Sequence, residues 1–520
     1  MSKLAAWGPA LMLGAAACGS AVPSGTPGRA VAAIRYEAQL EALEPGLVVL
    51  DVEETIVGGA DDVFAEVAAG VLSVEVAGAH GRRVVPAEPL APGTTSARWR
   101  IGCDATCRVH YRYDLGRAAE ASQDALDVAL RSGPDILAPA STWLLRPEPL
   151  TVNIPVELTV KTPESIRFAC GFHRGIGGAF DLRSQELSVA GFTAFGTFQT
   201  ARVQATGGTI DVAMLTGGRR ASDATLVRWV HDTAVALDTV YDRFPVTRAQ
   251  IFLVPEPGSR RVEMGRTLPA GGASIAVFVG SKAREADLYD DWILAHEMFH
   301  LGVPSFWQEG RWLDEGLATY YEPVLRARAG LQTESELWRE FSAEMQRGLG
   351  RPGDPALTET SDHDRVYWGG ALFVLHADMQ IRARTKGARS LDDGLRAVLA
   401  KGGDATRIWS VDYFLRVIDE AVGVPVTTEM LAQAALPVGA PCSAHTSGSA
   451  LGWSGPCPPA GQEGLAGLWR DLGIERPAAG KVALRGDAPL AGMRQRIAQA
   501  PGPRSAVAAS GRSLVLEPRR

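Results

Sequence analysis

The 520-residue chain is short of long apolar runs, of like-charge blocks, of cysteine and of histidine, and each shortage removes a class of protein. Beyond the amino-terminal run from Leu4 through Ala17, no segment reaches the roughly 18 uninterrupted apolar residues of a membrane-spanning helix. A permanent spanning anchor is excluded. The basic clusters Arg82-Arg83, Arg260-Arg261 and Arg519-Arg520 are only pairs, and the net charge is -7, so solvated surface is favoured over nucleic-acid contact. Of the 6 cysteines, Cys103 and Cys107 stand four apart with no second pair near them, which is poor ground for a cysteine metal site.

Against 9 histidines in 520 residues, the string His296-Glu297-Met298-Phe299-His300 stands out. Chance would give this pentad on the order of once in a hundred such chains. On a helix, residues four apart stack one turn above each other, so the two imidazoles aim at one point with Glu297 beside it. Trp292, Ile293, Ala295, Met298, Phe299 and Leu301 make the segment apolar nearly all round, as a buried helix requires, and Gly302 and Pro304 stop it. That geometry suits Zn2+. A catalytic zinc takes three protein ligands and keeps a position for water. Glu315 in Trp312-Leu313-Asp314-Glu315-Gly316 is the candidate third donor, at the start of a second helix. Glu309 is the rival, in what reads as an exposed turn.

His-Glu-x-x-His with a later Trp-Leu-x-Glu-Gly resembles the gluzincin metallopeptidases, the group of thermolysin and the aminopeptidase N-like enzymes. Downstream, Val366-Tyr367-Trp368-Gly369-Gly370-Ala371-Leu372, Ile381-Arg382 and Ser390-Leu391-Asp392-Asp393 are similar to the glycyl aminopeptidase family of that clan, over roughly residues 150 to 420. The resemblance implies His296, His300 and Glu315 as ligands, Glu297 as general base and Tyr367 as the oxyanion donor. The chemistry agrees: zinc brings the pKa of bound water to about 7, a neighbouring carboxylate takes its proton, and a phenol can hydrogen-bond the developing oxyanion.

One segment departs from the family. Its members usually carry Gly-Gly-Leu-Glu-His before the zinc helix, with the Glu associated with the substrate's amino terminus. Here the matching residues are Gly271-Gly272-Ala273-Ser274-Ile275, without a carboxylate. Gly271, Gly272, Ala273 and Ser274 are expected to bind substrate, with Ser274 to Val279 as a sheet edge that pairs with an extended peptide. A buried ammonium needs an anion, so the expectation is internal cleavage of peptides with blocked amino termini, unless Glu263, Glu322 or Asp364 supplies the missing charge.

Lys3 followed by the apolar run and small residues reads as an export signal. Ala15-Ala16-Ala17-Cys18-Gly19-Ser20 also resembles a bacterial lipoprotein cleavage site, which would acylate Cys18 and attach the protein to a membrane; ordinary cleavage among the same alanines is the alternative. The expected location is exported, periplasmic or membrane-anchored. Disulfides Cys103–Cys107, across a tight hairpin, and Cys442–Cys457, around a Ser/Gly-rich loop, fit that compartment, and Cys170 is left over as a buried thiol.

The expected fold class is α+β multidomain. Residues 1–29 are signal and linker; 30–215, with period-two alternation such as Ile34, Tyr36, Ala38 and Leu40, form a β-rich domain; 216–330 form a thermolysin-like catalytic domain; 331–436 are helices completing the cleft; 437–520 are a loop-rich segment that turns compact around Leu465 to Leu472 and Ala488 to Ile497. The expected partner is a peptide or protein substrate, and the sequence leaves the oligomeric state open. A zinc-retaining binding protein on the same scaffold is the alternative function.

Overall fold

A computed structural model describes residues 31–500 and 514–516, apart from 45–46, 79–80, 92, 122–125, 307, 440–460 and 477–480. The signal segment with Cys18, and the pair Cys442 and Cys457, lie outside the described residues.

Alternation produces the strands of the amino-terminal body. In Ala33–Glu44, Ile34, Tyr36, Ala38 and Leu40 are buried and their neighbours Arg35, Glu37 and Gln39 are exposed. This strand pairs antiparallel with Leu47–Val57 and parallel with Pro155–Lys161, within an eight-stranded sheet. A four-stranded sheet containing Ala60–Ala65 and Ala97–Cys103 shares its core, so that Tyr36, Val52 and Tyr111 of the first meet Val63 and Trp99 of the second in one apolar cluster. Sheet against sheet over a common core is a sandwich-like arrangement.

The Cys103–Cys107 disulfide is present. Its setting differs from the hairpin expected, because Ala97–Cys103 belongs to the small sheet and Thr106–Asp114 to the large one. The bridge fastens the point where the chain crosses between sheets. Cys170 is buried and unbonded, and burial pushes its thiol up to about 12.

The second body is built on a mixed sheet in the order Val262–Leu268, Ala273–Gly280, Arg248–Glu256, Gly208–Met214, Gln199–Ala205, Leu514–Leu516. The hairpin that turns at Gly207, φ 78°, therefore pairs here and not in the first body, since Gly208–Met214 runs parallel to Arg248–Glu256. Gln199–Ala205 and Gly208–Met214 thus lie in this second sheet, although they fall within the 30–215 stretch expected as the β-rich domain. Alternation identifies a strand but carries no information on which sheet it joins.

Ala273–Gly280 is not the edge strand. It pairs parallel with Arg248–Glu256 on one side and antiparallel with Val262–Leu268 on the other, and all eight residues are buried. The edge is Val262–Leu268. Gly271 and Gly272 take φ of 78° and 142°, and a Cβ on Gly272 would lie 2.1 Å from the Gly171 carbonyl oxygen. The His173 amide donates to the Gly271 carbonyl. Ser274 Oγ donates to the Leu268 carbonyl and accepts from the Phe192 amide. Gly271, Gly272, Ala273 and Ser274 thus weld the two bodies together, and the substrate-binding role expected for them is corrected. Around this junction Leu137, Phe192 and Ala194 pack on Phe252, Ala276 and Phe278.

Helices cover the sheet. Asp223–Tyr241 starts behind Ser222, whose Oγ accepts from the Thr225 amide. Thr333 with Glu336 and Ser390 with Asp393 form capping boxes at the starts of Glu334–Glu344 and Leu391–Ala400. The helical region shares one core with the mixed sheet and its covering helices, through Leu317, Tyr320, Phe341, Leu372 and Phe414, and the carboxy-terminal helices Gly461–Asp471 and Ala491–Ala498 add Leu468 and Ile497 to it. Among the described residues no helix is long and apolar enough to cross a membrane.

Candidate metal centre

The motif helix, Ile293–His300, is buried on almost every face, with Met298 and Phe299 at 0 % exposure and His296 at 1 %. Its apolar side chains drive it against the sheet, and the polar residues left over can only face the cleft or each other. The following helix, Arg311–Arg328, crosses Gly370–Arg384 at a backbone contact: a Cβ on Gly316 would lie 2.4 Å from the Gly370 carbonyl carbon. That approach brings a π-helical turn, Arg365–Gly369, and with it Tyr367, beside the motif.

His296, His300 and Glu315 each offer a ligand atom, and these atoms all lie within 4.8 Å of one another. His296 Nε2 is 3.3 Å and His300 Nε2 3.7 Å from Glu315 Oε2. Burial alone would raise the Glu315 carboxyl, but the His296 hydrogen bond and the two imidazoles hold it at about 2. For His300, burial opposes the charged form and is outweighed by Asp314, then Glu315 and Glu297, leaving the imidazole at about 10. Two nitrogens and a carboxylate oxygen gathered in this way fit zinc, and a cation between them would relieve the confinement of so much charge. Glu309 is exposed in Gln308–Gly310 and takes no part.

Two contacts at the site were not foreseen. His300 Nδ1 lies 2.9 Å from Asp314 Oδ1, the arrangement that fixes a ligating imidazole with Nε2 turned to the metal. The signal was present in sequence as the acid preceding Glu315. Thr267, on the edge strand, places Oγ1 2.7 Å from Glu297 Oε2 and 3.0 Å from the Glu297 carbonyl. Its single proton can satisfy one of them and orients the carboxylate. No local pattern marks it, because its position depends on how strand and helix dock. Gly265, two residues earlier, leaves room for the same side chain: a Cβ there would meet Glu297 Cγ at 2.5 Å and Ile293 Cγ2 at 2.6 Å.

Tyr367 is 3 % exposed, with its ring stacked 6.0 Å from that of His296 and 4.4 Å from that of His363. Burial, reinforced by the charge of Glu315, pushes its phenol well above the ordinary value, so it stays protonated and able to donate. The acids considered as substitutes for the missing carboxylate are each engaged. Glu322 is bonded to Arg326, Asp364 to Arg347, and Glu263 to Ser259 and Arg261.

Two solved structures are similar to this chain. An aminopeptidase N family protein from Idiomarina loihiensis superposes with a TM-score of 0.58 at 14% identity, over 78% of this chain and 76% of that one. An M1 zinc metallopeptidase from Deinococcus radiodurans, bound to a Tyr-Ser-Ala substrate, is similar over 79% of this chain and 95% of its own at 15% identity, with a TM-score of 0.49. The chain has the aminopeptidase N-like fold. At these identities the likeness speaks to fold alone, and the first of the two carries it. No family model and no curated protein matches the sequence.

Proposed function

We propose that the protein is a zinc-dependent peptidase that cuts peptides internally. The observation that carries this is the convergence of His296, His300 and Glu315 within 4.8 Å, beside a buried carboxylate and a buried phenol. When bound, zinc lowers the pKa of a coordinated water to about 7 and polarises the scissile carbonyl. Glu297 takes the proton of the attacking water and returns it to the departing amine. Thr267 donates to one oxygen of Glu297 and leaves the other for that proton. Tyr367 donates to the oxyanion of the tetrahedral intermediate. Asp314 keeps the His300 ring in the ligating orientation.

The substrate adds to the edge Val262–Leu268, whose outer backbone groups can pair with an extended peptide directly over Glu297. Glu263, Glu322 and Asp364 are each already paired, which supports a site that makes no use of a free amino terminus. Export belongs to the same reading, because a disulfide such as Cys103–Cys107 persists in an oxidising compartment; membrane attachment through Cys18 is the lipoprotein form of that proposal. The test is a matched pair of fluorogenic peptides, one acetylated and one free at the amino terminus. Comparable kcat/KM for both is expected. Strict dependence on the free amine would overturn internal cleavage, and no hydrolysis of either by zinc-loaded protein would overturn the peptidase reading.

A further inference from the structure

The two histidines of the motif are supported unequally. With Nε2 of each ring turned to Glu315, each Nδ1 carries a proton that must be accepted somewhere. His300 gives its proton to Asp314. His296 Nδ1 is buried and meets no acceptor in the protein. A buried N–H left unbonded is costly, and a ligating imidazole is normally oriented by a partner on its second nitrogen.

Beside His296 lies a cavity of about 20 Å³, lined by Trp292, Thr319, Glu322, Glu340, Tyr367 and Trp368. Two more of its polar groups, Thr319 Oγ1 and Trp368 Nε1, are buried without a protein partner. Thr319 stands four residues after Glu315 on the same helix, one turn along the same face, and is 7 % exposed. A water needs roughly 10–15 Å³ and two to four polar partners, and this cavity supplies both. Its two indole and imidazole N–H groups call for an acceptor, and the threonine hydroxyl can accept in turn.

We propose that one buried water occupies this cavity, accepting from His296 Nδ1 and Trp368 Nε1 and donating to Thr319 Oγ1. Thr319 is then a positioning residue that does for His296, through water, what Asp314 does directly for His300. The inference rests on the zinc centre proposed above.

The experiment compares zinc affinity, by chelator competition, in wild type, Thr319→Val and Thr319→Ser, with thermal unfolding as a control for the fold. Valine keeps the shape and removes the hydroxyl, and should weaken zinc binding about 10- to 100-fold. Serine keeps the hydroxyl and should restore affinity to within about threefold of wild type. A crystal structure of the zinc-loaded wild type should show solvent within hydrogen-bond distance of both His296 Nδ1 and Thr319 Oγ1. Wild-type affinity in a folded Thr319→Val protein, or a dry cavity, would overturn the proposal. Wild type that binds no zinc would overturn the metal centre itself, a different failure.

Discussion

Val262–Leu268 and Ala273–Gly280 are neighbours in one sheet and do opposite work. The first is a partly buried edge whose Gly265 and Thr267 contact Glu297, the general base of the proposed mechanism. The second is buried along its whole length and, with the glycine pair before it, fastens the second body to the sandwich. Glycine lets a backbone come close to something, and the sequence does not say whether that is a ligand or another strand. Here Gly265 makes room for the Glu297 side chain, and Gly272 makes room for the Gly171 carbonyl.

The difference sets out what substitution should do, and the largest effect belongs to the residue that the edge strand serves. Glu297→Gln should retain zinc and the fold while kcat falls by about 10² to 10⁴, measured with a saturating peptide. Retained turnover would detach the edge strand from catalysis altogether. If the phenol acts on the oxyanion as proposed, Tyr367→Phe should lower kcat by about 10² to 10³ with little change in KM. An unchanged kcat would return Tyr367 to the core.

The next pair separates the strands directly. Gly265→Ala forces Glu297 and Ile293 to shift and should cost about 10² in kcat, the order expected for misplacing a catalytic group by about an ångström, with thermal stability nearly kept. Gly272→Ala meets backbone at a positive φ and should destabilise by more than about 1 kcal/mol in denaturant titration, with kcat per folded molecule unchanged. If the two glycines exchanged these phenotypes, the assignment of the strands would be wrong. The gentlest contrast is between hydroxyls. Thr267→Val should lower kcat about tenfold, the loss of roughly one hydrogen bond to Glu297, without changing stability. Ser274→Ala should leave kcat intact and cost about 1–3 kcal/mol of stability, because the Phe192 amide loses its acceptor.

What the sequence could show was local. Histidines four apart on an apolar segment declare their own geometry, and Ser222, Thr333 and Ser390 announce helix starts within a few residues of themselves. Glu315 was legible because the turn after the motif is short enough to return a second helix to it. The order of strands was not legible, since pairing joins residues distant in the chain and depends on docking. That is why the strands at 199–214 were counted with the β-rich stretch 30–215, why the edge was assigned one strand too far in, and why Thr267 escaped notice. The cysteines show both sides: their proximity followed from spacing, while the crossing between two sheets that they close did not.

The outcomes read in kcat presuppose that the three donors hold a metal. The most direct test is elemental analysis of freshly purified wild type beside His300→Ala at equal folded concentration. About one zinc per wild-type chain and none in the variant is expected. A wild-type protein free of zinc that also fails to take it up from solution would contradict the account.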